Sequence, residues 1–423
     1  MSDFRKIQLP NGLRIVLAPQ PASLATTVMV LVGAGSLYET KATNGLSHFL
    51  EHMCFKGTAK RPNQLVIASE LDSLGAEYNA FTGREYTGYF AKARREDFDK
   101  ILDIVSDMYL NPVFDPAEIE KERGPIIEEI NMYEDLPMRR VGELFFELVY
   151  GDQPAGWDIA GPKENILKLK REDFLEYRRN HYLANSTVVV ISGGFDPAAA
   201  EEKVRHYFSS LAGGSKQGKA PVVEKQSEPR FRNFEKKSDQ THLVLGFRAF
   251  GLNDERRYVL QVLADILGGG MSSRLFQRIR TELSAAYYVG AEADLYTDHG
   301  LLTMSAGIDH QKIDNVLKAA VSEFVSLKNK PVTDEELVRA KKHLVGNLFL
   351  SLEKSDEVAG FYGGQEILTG SLNKPEEISA RVQAVSAEEI QELAKEVFRD
   401  DRLNFSMISP LSGRDFGGIL KVG

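Results

Sequence analysis

Residues 45–54, Gly-Leu-Ser-His-Phe-Leu-Glu-His-Met-Cys, place His48 and His52 four positions apart with Glu51 between them. On a helix that spacing is about 400° of rotation, so both imidazoles project from one face. Two imidazoles so placed suit two ligands of one tetrahedral ion. Glu51 falls near the same face, where its carboxylate can reach a water beside the ion without being a ligand. A catalytic zinc takes a third protein ligand and leaves its fourth position to that water. The other histidines, His181, His206, His242, His299, His310 and His343, are scattered and read as surface or packing residues. The third ligand is therefore expected to be a carboxylate held on a rigid element. Residues 122–130 offer several. Glu122 and Glu129 are seven apart and differ by only about 20° in direction on a helix, whereas Glu128 points some 100° away from Glu129 and reads as solvated. Gly124-Pro125 lies between the two and is a potential kink.

These side chains need a scaffold, and the chain reads as one unit written twice. Strand patterns at 12–17 and 26–32 precede helical patterns at 45–55 and 65–74. A strand pair follows at 77–82 and 86–93, then long helices at 95–110 and from 116 past Glu129, a helix at 171–180 and an apolar strand at 186–191. The glycine-rich stretch 212–220 is composed like a linker. After it the pattern restarts: a strand at 242–247, helices at 256–267 and 274–282, strands at 287–295 and 300–307, and a helix at 311–327 that stops before a proline as 95–110 does. The offset is about 218 residues, and an internal duplication of an α+β unit is the economical account. The expected fold is α+β, two tandem domains that each pack a mostly antiparallel sheet against helices. The boundaries are 1–211 for the metal-binding repeat, 212–227 for the linker and 228–423 for a metal-free, substrate-supporting repeat. Glu129 falls opposite Asn347 in the second copy, which has no paired histidines.

Composition narrows the classes. The 423 residues are 43% hydrophobic and 27% charged, as in ordinary globular chains. Lys+Arg total 52 against 61 Asp+Glu, a net charge of −9 that argues against nucleic acid as a partner. One cysteine, Cys54, excludes an internal disulfide framework and a cysteine-rich zinc finger, and it reads as an inert buried thiol. Apolar runs are strand-sized, so no membrane span is expected. The opening residues enter a strand–turn–strand pattern with no apolar leader, and a cytoplasmic location is expected. Gly268-Gly269-Gly270 lacks the features of a phosphate loop.

The reversed His-x-x-Glu-His signature is that of the inverzincins, and the whole chain resembles the insulinase/pitrilysin family. Within that family it is similar to the short mitochondrial-processing-peptidase-like proteases of bacteria. The resemblance also covers residues 35–58, the Asn79-Ala80-Phe81-Thr82 strand and the glycine-rich 267–276. In the family a zinc-binding glutamate follows the helix after 76 intervening residues, which here reaches Glu129, and a further glutamate seven earlier, here Glu122, supports catalysis. The resemblance thus implies one Zn²⁺ per chain on His48, His52 and Glu129, with Glu51 as general base. Taken by themselves Arg280 and Tyr287 look structural. In the family an Arg and a Tyr seven apart in the second copy hold the substrate, and these two match that spacing while Tyr288 does not. The chain departs from the family between them, carrying Leu283-Ser284-Ala285 where a basic residue, Gly and Leu are usual.

The implied function is a zinc endopeptidase cleaving unfolded peptides, which pair with the 79–82 strand through Asn79, Ala80 and Phe81 by edge addition. A His₂Glu site also accepts manganese or cobalt. Family members of this length pair two chains, so the expected partner is a second copy in a homodimer, with a heterodimer on a sister subunit as the alternative. The rival function is a non-catalytic peptide-binding or scaffold subunit of such a heterodimer.

Overall fold

A computed structural model describes residues 4–411 and 413–423. Two sheets organise the chain. The first is six-stranded, built from β1 (Arg5–Gln8), β2 (Arg14–Pro19), β3 (Ala25–Val32), β4 (Glu77–Thr82), β5 (Thr87–Arg94) and β6 (Thr187–Gly193). Its order is β1-β2-β6-β3-β5-β4, and β2–β6 is its one parallel pair. The second contains β7 (Arg230–Glu235), β8 (Thr241–Ala249), β9 (Ala286–Leu295), β10 (Gly300–Ile308) and β11 (Leu403–Ser409), in the order β7-β11-β8-β10-β9. There too a single pair, β7–β11, is parallel. Leaving out β1, the two orders correspond strand for strand, as a duplicated unit requires.

By packing, the chain forms two compact units that are not continuous in sequence. The first comprises Met1–Ile130, Trp157–Ala220 and Leu350–Asn373, and the second Asn131–Gly156, Pro221–Phe349 and Lys374–Gly423. Each repeat lends one helix to the other's unit. Pro137–Tyr150, from the first half, packs on β7, β8 and β11, and Ser355–Thr369, from the second half, packs on β2, β3 and β6. Glycines mark both contacts. A Cβ on Gly363 would lie 2.5 Å from Leu31, and one on Gly246 would lie 2.7 Å from Phe145, so these helix–sheet approaches need the missing side chain.

In the first unit the helix Leu46–Cys54 is amphipathic. Leu46, Phe49, Leu50, Met53 and Cys54 make a buried stripe at 3.6-residue spacing. Phe49 meets Phe174 edge-on at 5.0 Å. Each such buried side chain contributes roughly 1.5–3 kcal/mol, which sets the helix's rotation and turns His48, Glu51 and His52 to the opposite side. The acidic helix Pro116–Asp135 buries Ile119, Glu122, Ile126 and Ile130 along one stripe. It runs uninterrupted through Pro125, so the seven-residue spacing of Glu122 and Glu129 survives the expected kink.

In the second unit the segment expected as an ordinary helix over 274–282 is a π-helix over Phe276–Glu282. Two residues beyond its end, Ser284 takes a left-handed φ of 47°. Glycine adopts that conformation at no steric cost, whereas a serine there carries backbone strain. Lys312 Nζ donates to the carbonyls of Leu283 and Ser284 at 3.2 and 2.9 Å and holds the turn.

Candidate metal centre

His48 Nε2, His52 Nε2 and Glu129 Oε2 form a near-equilateral triangle. The imidazole nitrogens are 3.3 Å apart, and the carboxylate oxygen is 3.5 Å from each. Four donors around zinc at about 2.0–2.1 Å in tetrahedral array stand about 3.3–3.4 Å from one another. The triangle therefore has the size of one face of that tetrahedron, and the donor set, two imidazoles and a carboxylate, suits the ion. Among the described residues no other group of three or more His, Cys, Asp or Glu side chains comes close enough to share a metal.

Glu122 fixes the orientation of one ligand. Its Oε1 lies 3.0 Å from His52 Nδ1, so that nitrogen carries the hydrogen and Nε2 offers its lone pair to the triangle. Its other oxygen accepts from Lys56 Nζ at 2.6 Å. Burial opposes charge on Glu122, but the bonds from His52 and Lys56 hold its carboxyl below the ordinary range. Burial likewise opposes an imidazolium at His52, yet hydrogen bonds to Glu122 and Glu129 and the charges of Glu51 and Glu129 lift it to about 9. A proton and a metal thus compete for the same electron-rich nitrogen.

Glu51 is outside the triangle. Burial pushes its carboxyl up, while Thr82 and the charge of His52 pull it down. Thr82 Oγ1 donates to Glu51 Oε2 at 2.6 Å, which ties the end of β4 to the histidine helix and leaves the second carboxylate oxygen for other work. β4 pairs only with β5, so it is a sheet edge. On it Asn79 and Phe81 are exposed and Ala80 is buried, alternating as the pleat dictates.

The structure thus brings together His48, His52, Glu51, Glu122 and Glu129 within the first unit. Arg280 and Tyr287 belong to the second. Arg280 is exposed on the π-helix with its guanidinium 5.1 Å from the Phe276 ring centre. Tyr287 is the second residue of the edge strand β9 and is 65% exposed, whereas Tyr288 turns the other way and its hydroxyl lies 3.1 Å from His242 Nδ1. Sequence reasoning missed three contributors in the first unit. Lys56 follows His52 by four positions, a spacing that could have flagged it. Thr82 was recognised as strand but not as a partner of Glu51. Glu39 left no local signal: it accepts hydrogen bonds from the first turn of the histidine helix.

Residues 14–163 match the insulinase family, peptidase family M16, and residues 168–344 match the peptidase M16 inactive domain. An uncharacterized zinc protease of Bacillus subtilis is 35% identical over 411 residues, covering 96% of this chain and 98% of the relative. Another of Rickettsia felis is 36% identical over 397 residues, covering 94% and 95%. The crystal structure of a protease from Helicobacter pylori superposes with a TM-score of 0.91 at 22% identity, over 97% of this chain and all (100%) of that one. No helix among the described residues is long and apolar enough to cross a membrane.

Proposed function

The chain belongs to the insulinase family, peptidase family M16, and from that premise we propose that it is a zinc-dependent endopeptidase acting on unfolded peptides. The observation that carries the proposal is the tetrahedral-face triangle of His48, His52 and Glu129 with Glu51 beside it but not in it. A bare storage or sensing site has no use for a fourth, non-ligating carboxylate. Zinc, when bound, supplies the Lewis acidity that makes water a nucleophile at neutral pH.

The rest of the chemistry falls to the chain's own side chains. Glu51 takes the water's proton on its oxygen not engaged by Thr82 and returns it to the leaving amine. Its raised pKa suits a group that must both accept and release a proton. Glu122 keeps His52 in the tautomer whose Nε2 faces the ion. The free edge of β4 supplies main-chain donors and acceptors to an extended peptide along Asn79, Ala80 and Phe81, which selects for unfolded chains and gives little sequence preference. Arg280 and Tyr287 take the role of holding the substrate carbonyls because they match the Arg/Tyr pair that serves it in the family they resemble. The working assembly we propose is a cytoplasmic homodimer.

The test follows cleavage of a mixed set of unstructured peptides by purified protein, with metal content measured on the same sample. Chelator-treated protein and Glu51→Gln run alongside. Cleavage is expected with zinc near one per chain, and it is expected to vanish under chelation and to fall about 10²–10⁴-fold in Glu51→Gln, which still binds metal. Bound zinc without cleavage, in the dimer as in the monomer, would replace this reading with the non-catalytic subunit.

A further inference from the structure

The histidine helix begins at Gly45, whose φ of 99° is left-handed and which has no side chain to cap the helix. Nothing else fits there: a Cβ at position 45 would stand 2.6 Å from the Ala160 carbonyl oxygen and 2.9 Å from Ile166. The usual device, a Ser, Thr, Asp or Asn at the N-cap, is sterically barred. The orphan donors of the first turn are met from outside the helix. Glu39 Oε2 accepts from Gly45 N at 2.9 Å and from Asn44 Nδ2 at 3.0 Å, and Oε1 accepts from Ser47 N at 2.6 Å and from the Ser47 hydroxyl. The carboxylate is 5% exposed. Ser47 Oγ is 2.9 Å from the Tyr177 hydroxyl, which also reaches the Gly35 carbonyl, and Asn44 Nδ2 also donates to the Asp158 carbonyl. Glu39's own four bonds all end on residues 44–47, immediately before His48.

We propose that Glu39 is a positioning residue of the metal centre: it clamps the N-terminal turn of the histidine helix and so sets where His48 stands relative to His52 and Glu129. Apolar packing sets the helix's rotation, but it constrains sliding along the axis weakly; four directional bonds to the first turn constrain both. Burial pushes this carboxyl up to about 7 against the pull of Ser47, Asn44 and Gly45. A buried carboxyl held at such a cost is a poor choice for stability alone. This inference rests on the proposed zinc centre.

Glu39→Gln tests it. The amide is isosteric but turns an NH₂ towards either the Ser47 pair or the Gly45–Asn44 pair, so half the clamp is lost. Zinc affinity is read by competition with a chromophoric chelator, stability by thermal unfolding of the metal-free protein, and turnover as kcat and KM on an unstructured peptide. The expected result is an affinity about 10–100-fold weaker, the scale set by outer-shell partners of metal ligands, with kcat reduced, KM little changed and apo unfolding close to wild type. Affinity and kcat within twofold of wild type would overturn the proposal. So would losses that disappear on cooling in step with a lowered unfolding temperature, which would leave Glu39 a structural cap. If Glu39→Gln does not fold, Ser47→Ala, which removes the hydroxyl donor alone, is expected to weaken zinc severalfold, and an unchanged affinity overturns the proposal. Wild type that binds zinc without cleaving peptide removes only the peptidase reading, because the affinity comparison still decides Glu39. Wild type that takes up no zinc overturns both.

Discussion

The two repeats build the same sheet and place comparable helices around it, yet only one assembles a donor set for a metal. In the first, His52 has Nδ1 on Glu122 and Nε2 turned into the triangle with His48 and Glu129. In the second, His343 on the helix Asp334–Ser351 has Nδ1 2.7 Å from Asp265 Oδ1 and Nε2 3.1 Å from Asn347 Nδ2. Both ring nitrogens of His343 are engaged by protein, the second by an amide that donates where Glu129 of the first repeat offers a lone pair. The imidazole–carboxylate pair is therefore common to both units. What separates a ligand from a packed polar cluster is the group presented to the other nitrogen. The fold tolerates either, because its stability comes from the apolar stripes and strand pairing that both units share.

Substitutions in the two units should separate them accordingly. The largest contrast is between the histidines: His52→Ala is expected to abolish zinc binding and peptidase activity together, while His343→Ala leaves zinc content at the wild-type value, both read by metal analysis after dialysis. Zinc lost from His343→Ala protein of unchanged fold would break the comparison. One step down, Glu122→Gln should weaken zinc about 10–100-fold without abolishing it, as loss of an orienting partner does, and chelator competition measures this. An unchanged affinity would mean that the packing of its helix alone holds His52. The smallest effect belongs to the second unit's turn. Ser284→Gly relieves a left-handed serine and is expected to raise stability by about 1 kcal/mol, seen as a higher denaturant midpoint at unchanged slope. A lower midpoint would show that the φ of 47° is sustained by contacts specific to the serine.

Much of this was legible beforehand, for identifiable reasons. The His48–His52 pair, with Glu51 between, is a five-residue pattern whose geometry follows from helix pitch alone. Glu122 and Glu129 keep their common face because the helix passes through Pro125 unbroken. The duplication showed in the order of strand and helix patterns, and the matching strand orders carry it. The compact units did not show. Periodicity reveals that Pro137–Tyr150 and Ser355–Thr369 have apolar faces, but not which sheet covers them, and each crosses to the unit of the other repeat. The departure at Leu283-Ser284-Ala285 was visible as spelling, whereas its consequence, a serine held left-handed by the Lys312 bonds, is a matter of backbone conformation.

The amino-acid sequence by itself determined the types of donor, their spacing along two helices and the presence of only one such set in a doubled chain, since all three are local or countable. Only the tertiary structure decided that a carboxylate 77 residues beyond His52 stands 3.5 Å from both imidazoles, and that Glu39 and Thr82 reach the same helix from loop and sheet edge. Those distances are set by how buried faces pack across long loops, and no residue spacing encodes which faces meet.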